Sequence, residues 1–168
     1  MEFRLAVMQD LPQIKSVYSD IVKKMNREQI QIWDDIYPCE FFAEDIRNNR
    51  LYVLSDHDTI VSAFSLCDMH SGEKSIKWQN TLCRALYLDR LGVNVNYSRM
   101  GIGSLMLAKA KETAKKSGAE FLRLFVVDIN EPAIQLYHKN SFIQRDGIYD
   151  EFIEDDLILH EYGFEATL

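Results

Sequence analysis

In the N-terminal part of the chain, apolar residues recur with the two-residue period of strands in some segments and with the helical period in others. Phe3, Leu5 and Val7 are apolar at every second position, which predicts a first strand. A helical stripe follows, whose apolar positions are Leu11, Ile14, Tyr18, Ile21 and Met25. A shorter helical pattern opens at Pro38 and ends near Asn48, and two apolar runs between Leu51 and Cys67 predict a β-hairpin.

In the second half of the chain, predicted strands and helices alternate. Apolar runs at residues 85–93 and 121–127 predict two strands, and the second is nearly continuous, as expected of a strand covered on both faces. Helical patterns cover residues 101–117 and about 132–140. Phe142–Ile143 and Leu157–Leu159 predict further strands around an acidic segment. Together these patterns predict a single mixed α/β domain over residues 1–168.

A glycine-containing loop joins the strand at residues 85–93 to the long helix. It runs from Asn94 to Ser104 and carries Gly101 and Gly103 at the start of the helix. A strand, a glycine loop and a helix in this order direct free backbone N–H groups at one point. The helix dipole adds about half a positive charge there. The loop is therefore predicted to bind an anion such as a phosphate.

Three interpretations of this loop compete. A P-loop requires a lysine that this segment lacks, so nucleotide hydrolysis is not expected. A dinucleotide-binding fingerprint requires a third glycine, where this chain has Met106 or its neighbours. A plain helix-start turn stays open, because Gly-x-Gly alone is a weak signal.

Composition and charge narrow the range of partners. The formal net charge of −7 argues against nonspecific nucleic-acid binding, which requires a basic face. Cys39, Cys67 and Cys83 are odd in number and lack zinc-ligand spacing, and the histidines are scattered, so no metal site is expected. Neither a signal peptide nor an apolar run of membrane-spanning length is visible. We therefore expect a cytoplasmic protein that does not bind membranes.

A second motif changes the interpretation of the loop. It has the pattern Asn130-x-x-Ala133-x-x-Leu136-Tyr137-x-Lys139-x-Ser141-Phe142. Together with the loop, it resembles the GNAT superfamily of acyl-coenzyme A-dependent N-acyltransferases. The loop of that family is Arg/Gln-x-x-Gly-x-Gly/Ala, and its later motif is Asn-x-x-Ala-x-x-Leu-Tyr-x-Lys-x-Gly-Phe. The resemblance in motifs covers about residues 85–142, and the earlier order of elements also matches.

The chain departs from this family pattern at three positions. Ser98 stands where the family usually has Arg or Gln, Val95 where proline is common, and Ser141 where glycine precedes Phe142. The loop contacts are mostly made by the backbone, so Ser98 is expected to alter affinity rather than the kind of ligand. Arg99 either supplies the missing charge or is a solvated surface side chain.

The resemblance implies a fold and a co-substrate. The fold is a central, twisted, mostly antiparallel sheet of six or seven strands, with a splayed parallel pair at about residues 85–93 and 121–127 and about four helices. The co-substrate is acetyl-CoA, and no metal is implied. The implied cofactor contacts are Leu91, Val93, Ser98, Arg99, Met100, Gly101, Gly103, Ser104 and Asn130. Asn130 has a second interpretation, as the N-cap of the following helix.

The resemblance also implies catalytic roles. Tyr137 occupies the family position of the general acid, which protonates the departing thiolate; otherwise it is a core tyrosine. Asp89 is the candidate general base, because the family often uses a carboxylate or water near this strand; otherwise it pairs with Arg90 or another basic group. Asp128 is a second candidate, with turn capping as its alternative. A backbone amide near Val93 would polarise the thioester carbonyl.

Aromatic and acidic residues in the first helices, the loops and the late hairpin are candidates for the acceptor pocket. The candidate aromatic residues are Trp33, Tyr37 and Trp78, and the acids are Asp150, Glu151, Glu154, Asp155 and Asp156. Such a set suits a cationic amine. The alternatives are that the tryptophans pack in the core and that the acids form a solvated strand edge.

The sequence thus predicts an N-acetyltransferase that moves an acetyl group from acetyl-CoA to a primary amine of a small molecule or peptide. Direct transfer in a ternary complex is expected, because no cysteine lies near either motif to carry an acyl intermediate. The alternative is a non-catalytic acyl-CoA-binding sensor or interaction module of the same fold. A homodimer is left open.

Overall fold

The computed structural model describes residues 1–154 and 157–168. The α-helices are α1 (Leu11–Arg27), α2 (Phe42–Arg47), α3 (Ile102–Lys116) and α4 (Glu131–Lys139). The strands are β1 (Glu2–Leu5), β2 (Leu51–Asp56), β3 (Thr59–Cys67), β4 (Ala85–Val93), β5 (Phe121–Val127), β6 (Ile143–Gln144), β7 (Tyr149–Glu154) and β8 (Leu157–Thr167). None of the helices in these residues combines the length and the apolar composition that a membrane span requires.

The chain divides into two compact units. The first unit contains Met1–Leu66 and Arg90–Met106, and the second contains Cys67–Asp89 and Leu107–Leu168. Strand β4 and helix α3 each begin in one unit and end in the other along the chain.

The first unit is built around three antiparallel strands. Strand β2 pairs with β1 on one side, from Glu2 opposite Ser55, and with β3 on the other, from Leu51 opposite Ser65. Their apolar face shares one core with the buried side of α1, as the helical stripe predicts. The core residues are Ala6, Ile14, Val17, Tyr18, Phe42, Ile46, Leu51, Val53, Ile60 and Ala63.

The second unit contains the parallel strand pair. Strands β4 and β5 are in register from Ala85 opposite Phe121 to Leu88 opposite Leu124, and both strands extend beyond these pairs. Strand β8 runs antiparallel to β5 along its whole length and also pairs with β6 and β7. The short parallel register fits the splayed pair that the sequence predicts.

The predicted fold class is confirmed, with one difference in strand number. The described residues form a mixed α/β structure with mostly antiparallel strands, a parallel pair and four α-helices. They contain eight strands, where six or seven were expected. The difference arises at the C-terminal end, because Tyr149–Glu154 forms a strand of its own, whereas the short strand at Ile143–Gln144 was expected from the Phe142–Ile143 pattern.

The four helices of the described residues all end in the same way. The second residue after each helix has a left-handed backbone: Gln29 (φ 60°), Asn49 (φ 53°), Gly118 (φ 82°) and Ser141 (φ 63°). After α4, the N–H of Phe142 donates to the carbonyl of Tyr137 and the N–H of Ser141 to that of His138, each at 3.1 Å. These two bonds define the Schellman motif, in which glycine is the usual left-handed residue.

Candidate active site

The end of strand β4 is anchored by the side chain of Tyr18. The Tyr18 hydroxyl lies 2.6 Å from the carbonyl oxygen of Arg90 and 3.0 Å from that of Ala63. Arg90 has a left-handed backbone (φ 56°), which is uncommon for a non-glycine residue inside a strand. A Cβ on Gly92 would come within 2.6 Å of the Tyr18 ring, so glycine is required at this position. The strand is therefore distorted locally and held in that form.

A buried ion pair holds the side chain of the same distorted residue. The Nη2 and Nε atoms of Arg90 lie 2.8 and 3.0 Å from Oδ2 of Asp45, and the Ser65 hydroxyl donates to that oxygen at 2.6 Å. The two charged side chains are only 8% and 4% exposed. Asp45 is thus the counterion of Arg90, the residue that the sequence offered as a partner of Asp89.

The hydrogen bonds of β4 show which of its backbone groups face away from β3. The carbonyl of Gly92 accepts from the Ser62 hydroxyl at 2.6 Å, and the N–H of Asn94 donates to a carbonyl of β3 at 2.8 Å. Alternate residues of a strand direct their backbone groups to opposite edges. The backbone groups of Leu91 and Val93 therefore face the other edge, where an extended ligand such as a pantetheine arm can pair with them.

The glycine loop has the geometry of an anion-binding turn. Left-handed backbone at Arg99 (φ 61°) and Gly101 (φ 77°) leads the chain into α3. The N–H of Leu105 bonds to the carbonyl of Gly101 at 3.1 Å, whereas the earlier N–H groups of α3 have no acceptor within the helix. A Cβ on Gly101 would meet no atom within 4 Å, so the space beside the turn is open. These residues fit the pyrophosphate of coenzyme A.

The side chains of the loop do not supply the family's usual charge at position 98. The Ser98 hydroxyl donates to the carbonyl of Val95 at 2.7 Å and so closes its own turn. Arg99 and Met100 are exposed. Backbone amides are thus the main groups that the loop offers to an anion, and the contacts of Ser98, Arg99, Met100, Gly103 and Ser104 with the cofactor stay predictions.

Asn130 caps helix α4 in the second unit. Its carbonyl accepts the N–H of Ala133 at 3.1 Å, and its side-chain oxygen lies 3.4 Å from the same N–H. The N-cap interpretation of Asn130 is therefore confirmed, and its contact with the cofactor stays a prediction. The other end of α4 is fixed by Lys111, whose Nζ donates to the carbonyl of Asn140 at 2.6 Å.

Tyr137 is buried on α4 between two phenylalanine rings. The ring centroids of Phe142 and Phe164 lie 5.9 and 6.0 Å from that of Tyr137, which is 8% exposed. Burial, and after it the negative charge of Asp89, raises the pKa of the Tyr137 hydroxyl. The hydroxyl therefore keeps its proton at neutral pH, as a proton donor must.

Strand register places carboxylates from three strands on one face of the sheet in the second unit. Val127 of β5 lies opposite Glu161 of β8, which in turn lies opposite Tyr149 of β7. Glu151 follows Tyr149 by two residues and so shares its face, as Asp89 shares that of Tyr87. Phe164 pairs with Leu124 on the opposite face, so the ring of Tyr137 packs on the opposite side of the sheet from these acids.

The carboxylates on this face interact with one another. Glu151 and Glu161 share a side-chain hydrogen bond, and the charge of Asp89 acts on both of them. Burial raises the pKa of Glu161 to about 8, and Glu151 and Asp89 add to the shift. The pKa of Glu151 is also raised, first by burial and then by Asp89. Asp89 thus influences the two glutamates and Tyr137 alike.

An aromatic cluster lies on the same face as the acids. The imidazole of His70 stacks on Phe125 with centroids 3.9 Å apart, and the ring of Tyr149 meets Phe125 edge-on at 5.9 Å. Trp78 meets Phe125 at 5.7 Å, but it is only 7% exposed and its indole N–H donates to the carbonyl of Glu73. The geometry gives Trp78 a packing role, and its contact with an acceptor stays a prediction.

The remaining acceptor candidates lie elsewhere. In the first unit, Trp33 stacks on Tyr18 with centroids 5.5 Å apart, and Tyr37 meets Phe41 edge-on at 5.7 Å. Asp150 lies 2.6 Å from the Nδ1 of His160 on the surface. The predicted acids Asp155 and Asp156 lie outside the described residues, as does the side chain of Glu154. The backbone N–H of Asp128 donates to the carbonyl of His160.

Glu161, His70 and Phe125 are site residues that sequence analysis missed. The available signal for Glu161 was its place in an alternating strand, two residues after Leu159 and four after Leu157, where an apolar residue would be usual. Among the described residues, no group of three or more His, Cys, Asp and Glu side chains is arranged to hold a metal ion.

Comparison of the sequence with known proteins identifies the family of this chain. Residues 18–142 match the model of the acetyltransferase (GNAT) family. An N-alpha-acetyltransferase of Sulfurisphaera tokodaii is 28% identical over 125 residues, which are 73% of each chain.

Two solved structures share the fold. An acetyltransferase of the GNAT family from Listeria monocytogenes has a TM-score of 0.75 at 16% identity, over 99% of this chain and 94% of that one. A ribosomal-protein-alanine N-acetyltransferase from Brucella melitensis has a TM-score of 0.72 at 19% identity over the full length of both. With the family match over most of its length, the chain belongs to the GNAT family and is an acetyl-CoA-dependent N-acetyltransferase.

Proposed function

We propose that this enzyme transfers the acetyl group directly to a primary amine of a cationic acceptor, a small molecule or a peptide, in a ternary complex. The observation that carries this proposal is the shared sheet face of Asp89, Glu151 and Glu161 beside the rings of Phe125 and Tyr149. Carboxylates and aromatic faces together favour an ammonium group.

The proposed chemistry uses residues on both faces of the second unit. A carboxylate of the acidic face, for which the sequence offers Asp89, takes a proton from the ammonium, because only the neutral amine has a lone pair for attack. Acetyl-CoA supplies the thioester, whose carbonyl is polarised by a backbone amide near Val93. As the C–N bond forms and the C–S bond breaks, Tyr137 gives its proton to the thiolate and recovers one from the nitrogen.

Direct transfer is also supported by the state of the cysteines. Burial raises the pKa of the Cys39 thiol, which lowers its thiolate fraction at neutral pH. The Cys83 thiol lies 3.0 Å from the carbonyl of Asn80. Neither feature is that of an activated nucleophile, so no acetyl-enzyme intermediate is proposed.

The acceptor class is narrowed by the relatives. The relative from Sulfurisphaera tokodaii is named an N-alpha-acetyltransferase, and one structural neighbour is named a ribosomal-protein-alanine N-acetyltransferase. We therefore propose peptide α-amines as the first acceptors to examine. A cytoplasmic location and a homodimer are further proposals that rest on the sequence alone.

The test is an amine-panel assay of coenzyme A release. Peptides with free α-amines, lysine side-chain amines and polyamines are each supplied with acetyl-CoA, and the acetylated product is located by mass spectrometry. We expect thiol release only with an amine present, and initial-rate lines that intersect when both substrates are varied. Thiol release with no amine, parallel lines, or no transfer to any amine would each contradict the proposal.

A further inference from the structure

Glu161 is a partly buried carboxylate that forms no ion pair with a basic side chain of the described residues. Its Oε2 atom is buried and accepts no hydrogen bond from the described residues. The side chains whose charges raise its pKa are the acids Glu151 and Asp89. Burying an uncompensated carboxylate costs stability. A position of this kind is common where a protein binds or moves a proton.

The surroundings of Glu161 are those of an acceptor site. Its backbone lies between Val127 and Tyr149 in the sheet, two residues from Gly163, which pairs with Phe125. Near Glu161, this face therefore combines apolar and aromatic side chains with Asp89, Glu151 and Glu161 itself. Farther along the same face, Arg123 and Glu165 form an ion pair with each other. Asp89 acts on Glu161 on this face and also on Tyr137, the proposed proton donor, from the other side of the sheet.

We infer that Glu161 is a proton-accepting residue of the transfer reaction, and that it takes its proton from the ammonium of the acceptor. This inference rests on the proposed function and specifies its base. The ammonium gives one proton to the Glu161 carboxylate and becomes a neutral amine, whose lone pair then forms the C–N bond. Glu161 returns that proton to solvent after the product leaves. Burial, and after it the negative charges of Glu151 and Asp89, make Glu161 a stronger proton acceptor than a free glutamate.

The inference predicts a definite pH dependence. The titratable groups that act on Glu161 are Glu151 on β7 and Asp89 on β4. The hydroxyl of Tyr149, the cross-strand partner of Glu161, instead lies 3.0 Å from the Ser71 hydroxyl. With its pKa raised to about 8, Glu161 is protonated at lower pH and cannot accept a proton. Turnover should therefore rise with pH and level off above about pH 8. Replacing Asp89 by Asn removes a negative charge and should move this rise to lower pH.

The first experiment needs neither acetyl-CoA nor an acceptor. Glutamate labelled with carbon-13 at the side-chain carboxyl is incorporated, and the carboxyl resonances are followed by NMR during a pH titration. We expect one resonance to titrate near pH 8, to be absent from Glu161→Gln and to titrate at lower pH in Asp89→Asn. Glu44→Gln, which replaces an exposed glutamate of α2, is the matched control and should leave that resonance in place. If no carboxyl titrates near pH 8, the inference is wrong.

The second experiment measures the pH profile of kcat with an acceptor from the amine panel. Glu161→Gln should lower kcat about 100-fold and flatten the rise, as for loss of a general base. In Glu151→Gln, kcat should still rise with pH, but at a lower pH than in the wild type. This variant therefore distinguishes loss of the proton acceptor from general damage to the acidic face. Thermal unfolding confirms that each variant is folded. Wild-type turnover and profile in Glu161→Gln would overturn the inference.

The two experiments also separate this inference from the proposed function. If no amine is acetylated by the wild type, the proposed function fails, and the NMR titration still decides whether Glu161 holds a proton near neutral pH. If amines are acetylated but Glu161→Gln is unimpaired, the proposed function stands and Glu161 is not the base.

Discussion

The hydroxyl of Tyr137 is the group on which the proposed acid step depends. Its burial and the charge of Asp89 raise its pKa, so it remains protonated throughout the neutral range. Replacing Tyr137 by Phe keeps the ring contacts with Phe142 and Phe164 and removes only the proton. We expect kcat to fall about 100-fold, with the Kd of acetyl-CoA changed by less than about twofold. Steady-state kinetics and calorimetry measure the two quantities.

Tyr52→Phe is the matched control for this substitution. Tyr52 stacks on Phe3 in the first unit with centroids 5.6 Å apart, and its ring contacts do not require the hydroxyl. It should retain wild-type kcat. Equal turnover in Tyr137→Phe and in the wild type would remove Tyr137 from the acid role.

Glu161 also makes stability depend on pH in an unusual direction. A free glutamate loses its proton near pH 4.5, whereas Glu161 in the folded state keeps it to about pH 8. Between these values the folded state binds more protons than the unfolded state, so this residue lowers stability as pH rises. Relative to wild type, Glu161→Gln should therefore gain up to about 4 kcal/mol of stability between pH 5 and pH 8.5.

Urea unfolding at both pH values measures this difference. Glu44→Gln, at an exposed site, should show the same stability difference from wild type at both pH values. A Glu161→Gln difference that does not change with pH would contradict the raised pKa.

Glu161 was missed in the sequence for a physical reason. It lies far along the chain from the candidate Asp89, and only the pairing of β4, β5, β7 and β8 brings Asp89, Glu151 and Glu161 to one face. Tyr137 could be located because its neighbours along one helix form a motif. A motif within one helix or strand can be recognised in the sequence. The residues that face each other across strands cannot, because their pairing is set only when the sheet forms.

At the scale of elements, the C-terminal end of α4 contains a residue whose substitution should stabilise the protein. Ser141 occupies the left-handed position of a Schellman motif, where an L side chain costs about 1–2 kcal/mol relative to the right-handed form. Glycine removes this strain, but it also increases the conformational entropy of the unfolded chain, which offsets part of the gain. We expect Ser141→Gly to stabilise the protein by about 0.5–1 kcal/mol, measured by urea unfolding.

Ser117→Gly provides the matched comparison. Ser117 follows α3 and is not among the residues with positive φ, so glycine relieves no strain there. This control should be destabilised by a few tenths of a kcal/mol or more. Equal effects of the two substitutions would argue against strain at Ser141.

The ion pair between Asp45 and Arg90 connects α2 with the distorted part of β4. Asp45→Asn would remove one charge of a buried ion pair, and breaking such a pair typically costs about 3–5 kcal/mol. Because Leu91 and Val93 follow directly, we also expect the KM of acetyl-CoA to rise more than kcat falls. Denaturant unfolding and steady-state kinetics measure these effects.

Asp20→Asn is the control for an exposed pair. The Lys23 Nζ lies 3.1 Å from Asp20, and both side chains are more than half exposed. Such pairs contribute about 0–1 kcal/mol. If Asp45→Asn lowered the free energy of unfolding no more than Asp20→Asn does, the ion pair between Asp45 and Arg90 would not be stabilising β4.

At the scale of the whole molecule, charge adds to the preference for cations. The net charge of −7 attracts a cationic acceptor from a distance, and salt screens this attraction. With saturating acetyl-CoA, the kcat/KM of a lysine-containing peptide should fall several-fold between about 0.02 M and about 0.5 M salt, where the Debye length shortens from over 20 Å to about 4 Å. A peptide with the same N-terminus but without charged side chains should change less. Equal salt dependence of the two peptides would contradict a role for net charge.

Most of the fold could be predicted from the sequence, and the acceptor side of the site could not. The separate strands and helices follow from local periodicity, whereas the parallel pairing was implied by the family resemblance that two motifs carry. The strand at Tyr149–Glu154 was obscured because its acidic residues resemble a solvated loop. The indole N–H of Trp78 donates to the carbonyl of Glu73, a packing contact that no pattern in the sequence reveals.

Strand β8 has a consequence for engineering new specificities. Its odd-numbered residues, such as Leu159 and Glu161, belong to the acidic face, whereas Phe164 supports the ring of Tyr137 on the other. Varying Leu159 on the acidic face would therefore explore new acceptors without repacking the proton donor. Glu161, Gly163 and Glu165 have to be kept, because they are the proposed proton acceptor, a glycine packed against Ile76 and Trp78, and the buried partner of Arg123 and Arg145. A library at Leu159 should retain more folded, active clones than an equally large library at Phe164.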